Sequence, residues 1–151
     1  MYSNRDVADF ITSTFLPVRV HVREQREEFQ RLGQRFNAQW TPAVLIVDET
    51  GAERHRIEGF LPADDFLGQL VLGLGHAAFA VGDFAAAEPY FREVVDRYAN
   101  TDAAPEAQYW AGVSHYKATG DASALADTAN AFDHRYQETS WAKKASVWKN
   151  H

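Results

Sequence analysis

The chain has 151 residues, 46% hydrophobic and 13% aromatic, with a formal charge of -6 and no cysteine. That apolar content supports a packed core and excludes wholesale disorder. The acid surplus argues against a nucleic-acid partner, no apolar run approaches the ~20 residues of a membrane span, and disulfides, thiolate metal ligands and thiol nucleophiles are ruled out.

The start, Met1-Tyr2-Ser3-Asn4-Arg5-Asp6, lacks the basic and apolar regions of a secretory signal, so the cytoplasm is the expected compartment. Ser3 is the expected N-cap of a short helix, with Asp6 near its positive end and Val7, Phe10 and Ile11 on one face. Residues 17–22 alternate strictly, which predicts a strand with Val18, Val20 and Val22 on its buried face. Residues 24–37 read as a charged helix with Phe29, Leu32 and Phe36 turned inward. Trp40-Thr41-Pro42 then leads into the apolar run Ala43-Val44-Leu45-Ile46-Val47. A residue before proline is held extended, and five apolar residues between Pro42 and the turn Asp48-Glu49-Thr50-Gly51 fit a buried strand. Residues 53–58 alternate again and predict an antiparallel edge strand, its charges blocking further pairing. Pro62, Asp64 and Asp65 suit the first turn of a helix.

From Phe66 onward every signal is helical, with helices expected over 63–81, 84–98, 104–118, 122–136 and 140–149. Tyr98, Thr101, Ala107 and Trp110 recur 38 residues later as Tyr136, Thr139, Ala145 and Trp148, and Gly75 and Gly112 stand 37 apart. Helical hairpins repeating at such a period stack, because a single pair cannot bury its apolar face alone. Gly73-Leu74-Gly75 lies inside a helical pattern, where small residues permit close packing.

The helical half resembles a tetratricopeptide-like array: Leu74, Gly75, Ala78, Ala87, Phe91 and Val94 fall at packing positions in the first hairpin, and Ala111, Gly112 and Ala124 in a more degenerate second one. The first half, through Phe15-Leu16-Pro17-Val18-Arg19-Val20, Trp40-Thr41-Pro42 and Ile57-Glu58-Gly59-Phe60-Leu61-Pro62, resembles the C-terminal portion of a bacterial thioredoxin-like domain. The resemblance implies a cis-proline loop at Thr41-Pro42 that contacts extended peptide, with Trp40 either an exposed recognition aromatic or, preferably, packed on helix 24–37. It also implies that a central strand and a Cys-x-x-C helix start would precede Met1. Direct pairing of 17–22 with 43–47, a strand supplied by another chain, or a sequence that is a piece of a longer reading frame would each answer that gap; the last is favoured, because unpaired central edges are costly.

The expected architecture is therefore α/β, a partial thioredoxin-like fold of about three strands over 1–75, followed by an all-α helical-hairpin region over 76–151. The expected function is a non-catalytic protein-binding or scaffolding module; the alternative is a fragment of a thiol–disulfide oxidoreductase. Candidate peptide contacts are Trp40, Thr41 and Pro42, and a possible partner surface comprises Tyr109, Tyr116, Trp141 and Trp148, with Trp110 and Trp148 read as structural. The expected partner is a protein or peptide, or a second copy through sheet completion, with neither nucleic acid nor membrane. His21, His55, His76, His115, His134 and His151 form no His-x-x-x-His pattern, and His21 and His55 are expected solvated. No phosphate loop or other cofactor motif occurs, so no cofactor or metal is expected.

Overall fold

The computed structural model describes residues 4–150. The elements run α1 (Arg5–Thr14), α2 (Arg26–Arg35), β1 (Ala43–Val47), β2 (Glu53–Glu58), α3 (Ala63–Ala80), α4 (Phe84–Arg97), α5 (Ala103–Thr119), α6 (Ser123–Phe132) and α7 (Ser140–Ala145), closing in a 3-10 turn over Ser146–Asn150. The expected cap Ser3 lies outside the described residues; Asn4 caps α1, its side-chain oxygen accepting from the N–H groups of Asp6 and Val7.

The sheet has two strands among the described residues, not three. β1 and β2 pair antiparallel, Ala43 opposite Glu58 and Ile46 opposite His55, with an irregularity before Val47. The turn between them is pinned by Asp48, whose carboxylate accepts from the hydroxyl and N–H of Thr50, from Ala52 N–H and from Arg54 Nε. The Thr50 hydroxyl, with Arg54 and the two amides, holds this carboxyl far below the usual carboxylate range.

Residues 17–22 form no strand. Leu16 is 94% exposed and Val18 82% exposed, so the expected buried face is absent. Among the described residues no strand lies alongside to take the segment's backbone hydrogen bonds, and a local turn captures its end instead. His21 Nδ1 accepts from Arg23 and Glu24 N–H, and Gln25 Oε1 accepts from His21 N–H. Helix α2 follows, carrying no fully buried residue. Its C-terminal end is held to β2 by the Arg56 guanidinium, which donates to the carbonyls of Phe36 and Asn37.

Helix α3 is the hub. Phe66, Leu67, Leu70, Val71 and Leu72 are all buried, and one apolar cluster runs from Val7 of α1 through Ile46 and Ile57 of the sheet to Ala111 of α5. Three glycines let neighbours approach on two sides, Gly73 facing the sheet and Gly68 and Gly75 facing α4. A Cβ on Gly68 would press on Thr101 and Tyr98, one on Gly73 on Ile46 and His55, and one on Gly75 would lie 2.6 Å from the Phe91 ring of α4. Gly112 of α5 receives Thr128 of α6 in the same way. α3 crosses the expected boundary at residue 75 without a break.

Positions 38 apart share their local contacts. The hydroxyls of Thr101 and Thr139 donate to the carbonyls of Tyr98 and Tyr136, each at 2.7 Å. Arg97 and Arg135 lie over the rings of the tyrosines that follow them, and Ala107 and Ala145 are fully buried. The helix expected to reach 136 ends at Phe132. Tyr136 takes a left-handed conformation (φ 64°) and sends its hydroxyl to Ala99 O at 2.6 Å, a bond from outside the helix. The last helix stops at Ala145 and tightens into the 3-10 turn.

Replacing Gly75 or Gly112 by valine forces a branched side chain into an occupied contact and is expected to cost about 1–3 kcal/mol, read as a lower urea midpoint at unchanged slope. Val81→Ala, at an exposed position, should stay within ~0.5 kcal/mol in the same titration.

Candidate functional site

Two places gather chemistry-bearing side chains. The first is the end of the sheet where Thr41-Pro42 enters β1. The Thr41–Pro42 peptide bond is cis. Gly59 N–H donates to Pro42 O at 2.8 Å, closing the two-stranded ladder at this end. Gly59 has φ 86°, a left-handed conformation suited to glycine, and turns the chain out of β2. Trp40 and Phe60 leave this closed end on the two strands, 71% and 77% exposed. Trp40 therefore does not pack on α2, as the sequence preferred; Arg56 occupies that helix's end instead. Thr41 is exposed and Pro42 half-buried. Sequence reasoning missed Phe60. The signal was the hairpin register: with 43 opposite 58, Pro42 and Thr41 stand across from Gly59 and Phe60.

The second place is the junction of sheet and helices. His55, expected to be solvated, faces α3 instead. Its Nε2 donates to Gln69 Oε1 at 2.7 Å, and its ring stacks on His76 at 5.7 Å. His76 in turn lies 3.5 Å from Glu106 Oε1 and meets the rings of Phe91 and Trp110 edge-on. Burial pushes the His55 imidazole below its ordinary value; the Gln69 hydrogen bond opposes this in part. The alternation of 53–58 is read correctly, but His55 lies on the same face as the buried Ile57, not opposite it, and Gly73 gives its imidazole room against α3. Among the described residues no cluster of three or more His, Asp or Glu could hold a metal ion. His21 lies in the turn before α2, not on a strand; His115 pairs with Glu88 at 3.0 Å; His151 lies outside the described residues.

The four aromatics of the expected partner surface separate. Tyr109 stacks on Trp148 at 4.8 Å and touches Trp141 at 5.3 Å. All three are half-buried against Ala129, Phe132 and Ala145, tying α5 to α7 and the 3-10 turn. Trp110 joins them from the main core. Tyr116 is not part of this cluster and is 37% exposed.

Residues 1–72 match the thioredoxin-like domain family. The matched stretch ends within α3 and supports a thioredoxin-like domain there; the chain contains no cysteine. No curated protein and no solved structure matches the chain. Among the described residues, no helix is long and apolar enough to cross a membrane.

The buried His55 gives a pH signature with a definite sign. The unfolded imidazole titrates near ~6.5 and the folded one lower, so below ~6.5 the unfolded chain takes up a proton that the folded chain refuses. Stability is expected to be full above that value and to fall as pH drops through it. Urea titrations at pH 8 and pH 5.5 check this, and His55→Gln should flatten the difference.

Proposed function

We propose that this chain is a non-catalytic protein-binding module and that the end of its sheet at Trp40, Thr41, Pro42 and Phe60 takes an extended peptide segment. The observation that carries this reading is the paired exposure of Trp40 and Phe60 beside the Thr41-Pro42 turn in a thioredoxin-like domain without cysteine. Large exposed aromatics on a rigid frame give contact area at low entropic cost, and such residues supply most of the energy of an interface. The turn belongs to a hairpin locked by the Pro42–Gly59 and Asp48 hydrogen bonds, so little ordering remains on binding. Thiol chemistry is closed to this chain, since nothing in it can form a mixed disulfide. The helical half supports this reading as a scaffold of tetratricopeptide-like hairpins, with Tyr116 the most exposed of its candidate contacts.

A second reading makes the chain part of a thiol–disulfide oxidoreductase whose Cys-x-x-C lies outside this sequence. It is favoured by the thioredoxin-like match together with the open edge of β1. Thiol titration and intact mass of the protein from its native source separate the two readings.

A peptide array probed with the purified chain tests the binding reading. Selected peptides should lose at least ~10-fold in affinity to Trp40→Ala and to Phe60→Ala, while Tyr109→Ala, remote from the loop, leaves binding unchanged. Both loop variants should keep the wild-type urea midpoint, since both side chains are exposed. Selected peptides indifferent to both variants would overturn the site, and insulin reduction by the chain would overturn the non-catalytic assignment.

A further inference from the structure

The helical half carries a recess of its own, away from the sheet. α5 packs between α4 and α6, and the three helices leave a groove of about 410 Å³ with Gln108 and His115 of α5 along its floor. From Gln108 to His115 the floor is about 10 Å long, the reach of roughly three residues of extended chain. Val95 of α4 and Ala124 and Ala131 of α6 give the walls an apolar part. The ionic groups of the groove are out of balance. Glu88 takes both local cations, Arg92 at 3.0 Å and His115 at 3.0 Å. Asp96 on one wall and Asp127 on the other are exposed, and among the described residues no hydrogen bond or ion pair engages either. Gln108 gives an independent signal. Its Nε2 is buried and makes no hydrogen bond among the described residues. A buried donor without an acceptor destabilises the fold, and an arriving carbonyl removes that deficit.

We propose that this groove takes a basic extended segment of a partner protein, with an arginine or lysine against Asp96 and Asp127 and a backbone carbonyl on Gln108 Nε2. Charge complementarity selects the occupant: carboxylates on both walls have no cation of their own, because Glu88 holds Arg92 and His115. The apolar strip of Val95, Ala124 and Ala131 suits the aliphatic stem of such a side chain, which packs its methylenes and keeps its charge at the rim. A bare cation would leave Gln108 without an acceptor, and an acidic segment would meet Asp96 and Asp127. A basic peptide supplies the acceptor, the stem and the positive charge together. The groove is built from α4, α5 and α6 and does not rest on peptide binding at the Trp40–Phe60 loop.

Fluorescence anisotropy of a labelled Ala-Arg-Ala-Arg-Ala peptide and its Ala-Glu-Ala-Glu-Ala counterpart, each titrated with the full chain, tests this. The arginine peptide is expected to bind, more weakly as salt rises, and the glutamate peptide not to bind. The double variant Asp96→Asn/Asp127→Asn should weaken binding about 5-fold. Glu27→Gln/Glu49→Gln removes the same charge from exposed positions outside the groove and should leave binding unchanged, which separates the site from the net charge of the chain. Gln108→Leu should weaken binding about 5-fold while keeping or raising the urea midpoint, because it removes an unpaired buried amide; a purely structural Gln108 would lower the midpoint instead. Trp40→Ala should bind the arginine peptide like the wild type, so failure here and failure of the loop reading are distinct. Equal weakening by the remote pair, equal binding of the glutamate peptide, a Gln108→Leu variant that binds as well as the wild type, or loss of binding in Trp40→Ala would each overturn the proposal.

Discussion

The close approach of three neighbours to helix α3 is the constraint on which the rest of the structure depends. A helix buried on several sides has no solvent face to absorb misfit, so its neighbours must settle at distances set by its smallest residues. Gly73 lets the sheet settle against α3 through Ile46 and His55, Gly75 admits the Phe91 ring of α4, and Gly68 meets Tyr98 and Thr101 at the α4–α5 turn. Because the three contacts share one rigid rod, the sheet and the hairpins form a single apolar cluster. A larger side chain at any of these positions would be felt in the others.

The two chemically distinctive places in the molecule follow from that packing. Room opposite Gly73 draws His55 out of water and onto Gln69 and His76, and Glu106 of α5 then closes the row. Sheet, central helix and hairpins are thereby joined by polar contacts inside an apolar junction, where burial works against charge on His55. At the far end of the same hairpin, among the described residues, no helix covers Trp40 or Phe60. The Pro42–Gly59 bond closes the ladder and Trp40 and Phe60 remain in solvent. Large exposed aromatics at the closed end of a rigid hairpin are suited to meeting another chain.

Much of this was legible in the residues. The Thr-Pro turn, the apolar strand after it, the antiparallel partner and the five C-terminal helices follow from period, proline and glycine placement, and the positions 38 apart make matching hydrogen bonds. Residues 17–22 were misread because alternation reports what a segment can do on a pleated surface, while a strand also needs a neighbour to accept its backbone groups. α6 ends at Phe132, short of the expected 136, and Tyr136 beyond it is left-handed with its hydroxyl bonded to Ala99 O, a contact 37 positions away that local periodicity does not contain. His55 shares a face with the buried Ile57, two residues on, so the alternation itself pointed inward and the solvated assignment overlooked it.

The sequence by itself determined the local elements and the chemistry that is closed. Absence of cysteine leaves these 151 residues no thiol of their own, and the helical and alternating periods set where helices and the β hairpin form, because these depend on neighbours along the chain. Only the tertiary structure decided which side chains leave water. Whether His55 is buried, whether Trp40 packs or stays exposed, and whether residues 17–22 find a sheet depend on what arrives from distant parts of the chain. The physical reason is that burial and backbone pairing are properties of two surfaces meeting, and a linear pattern describes only one of them.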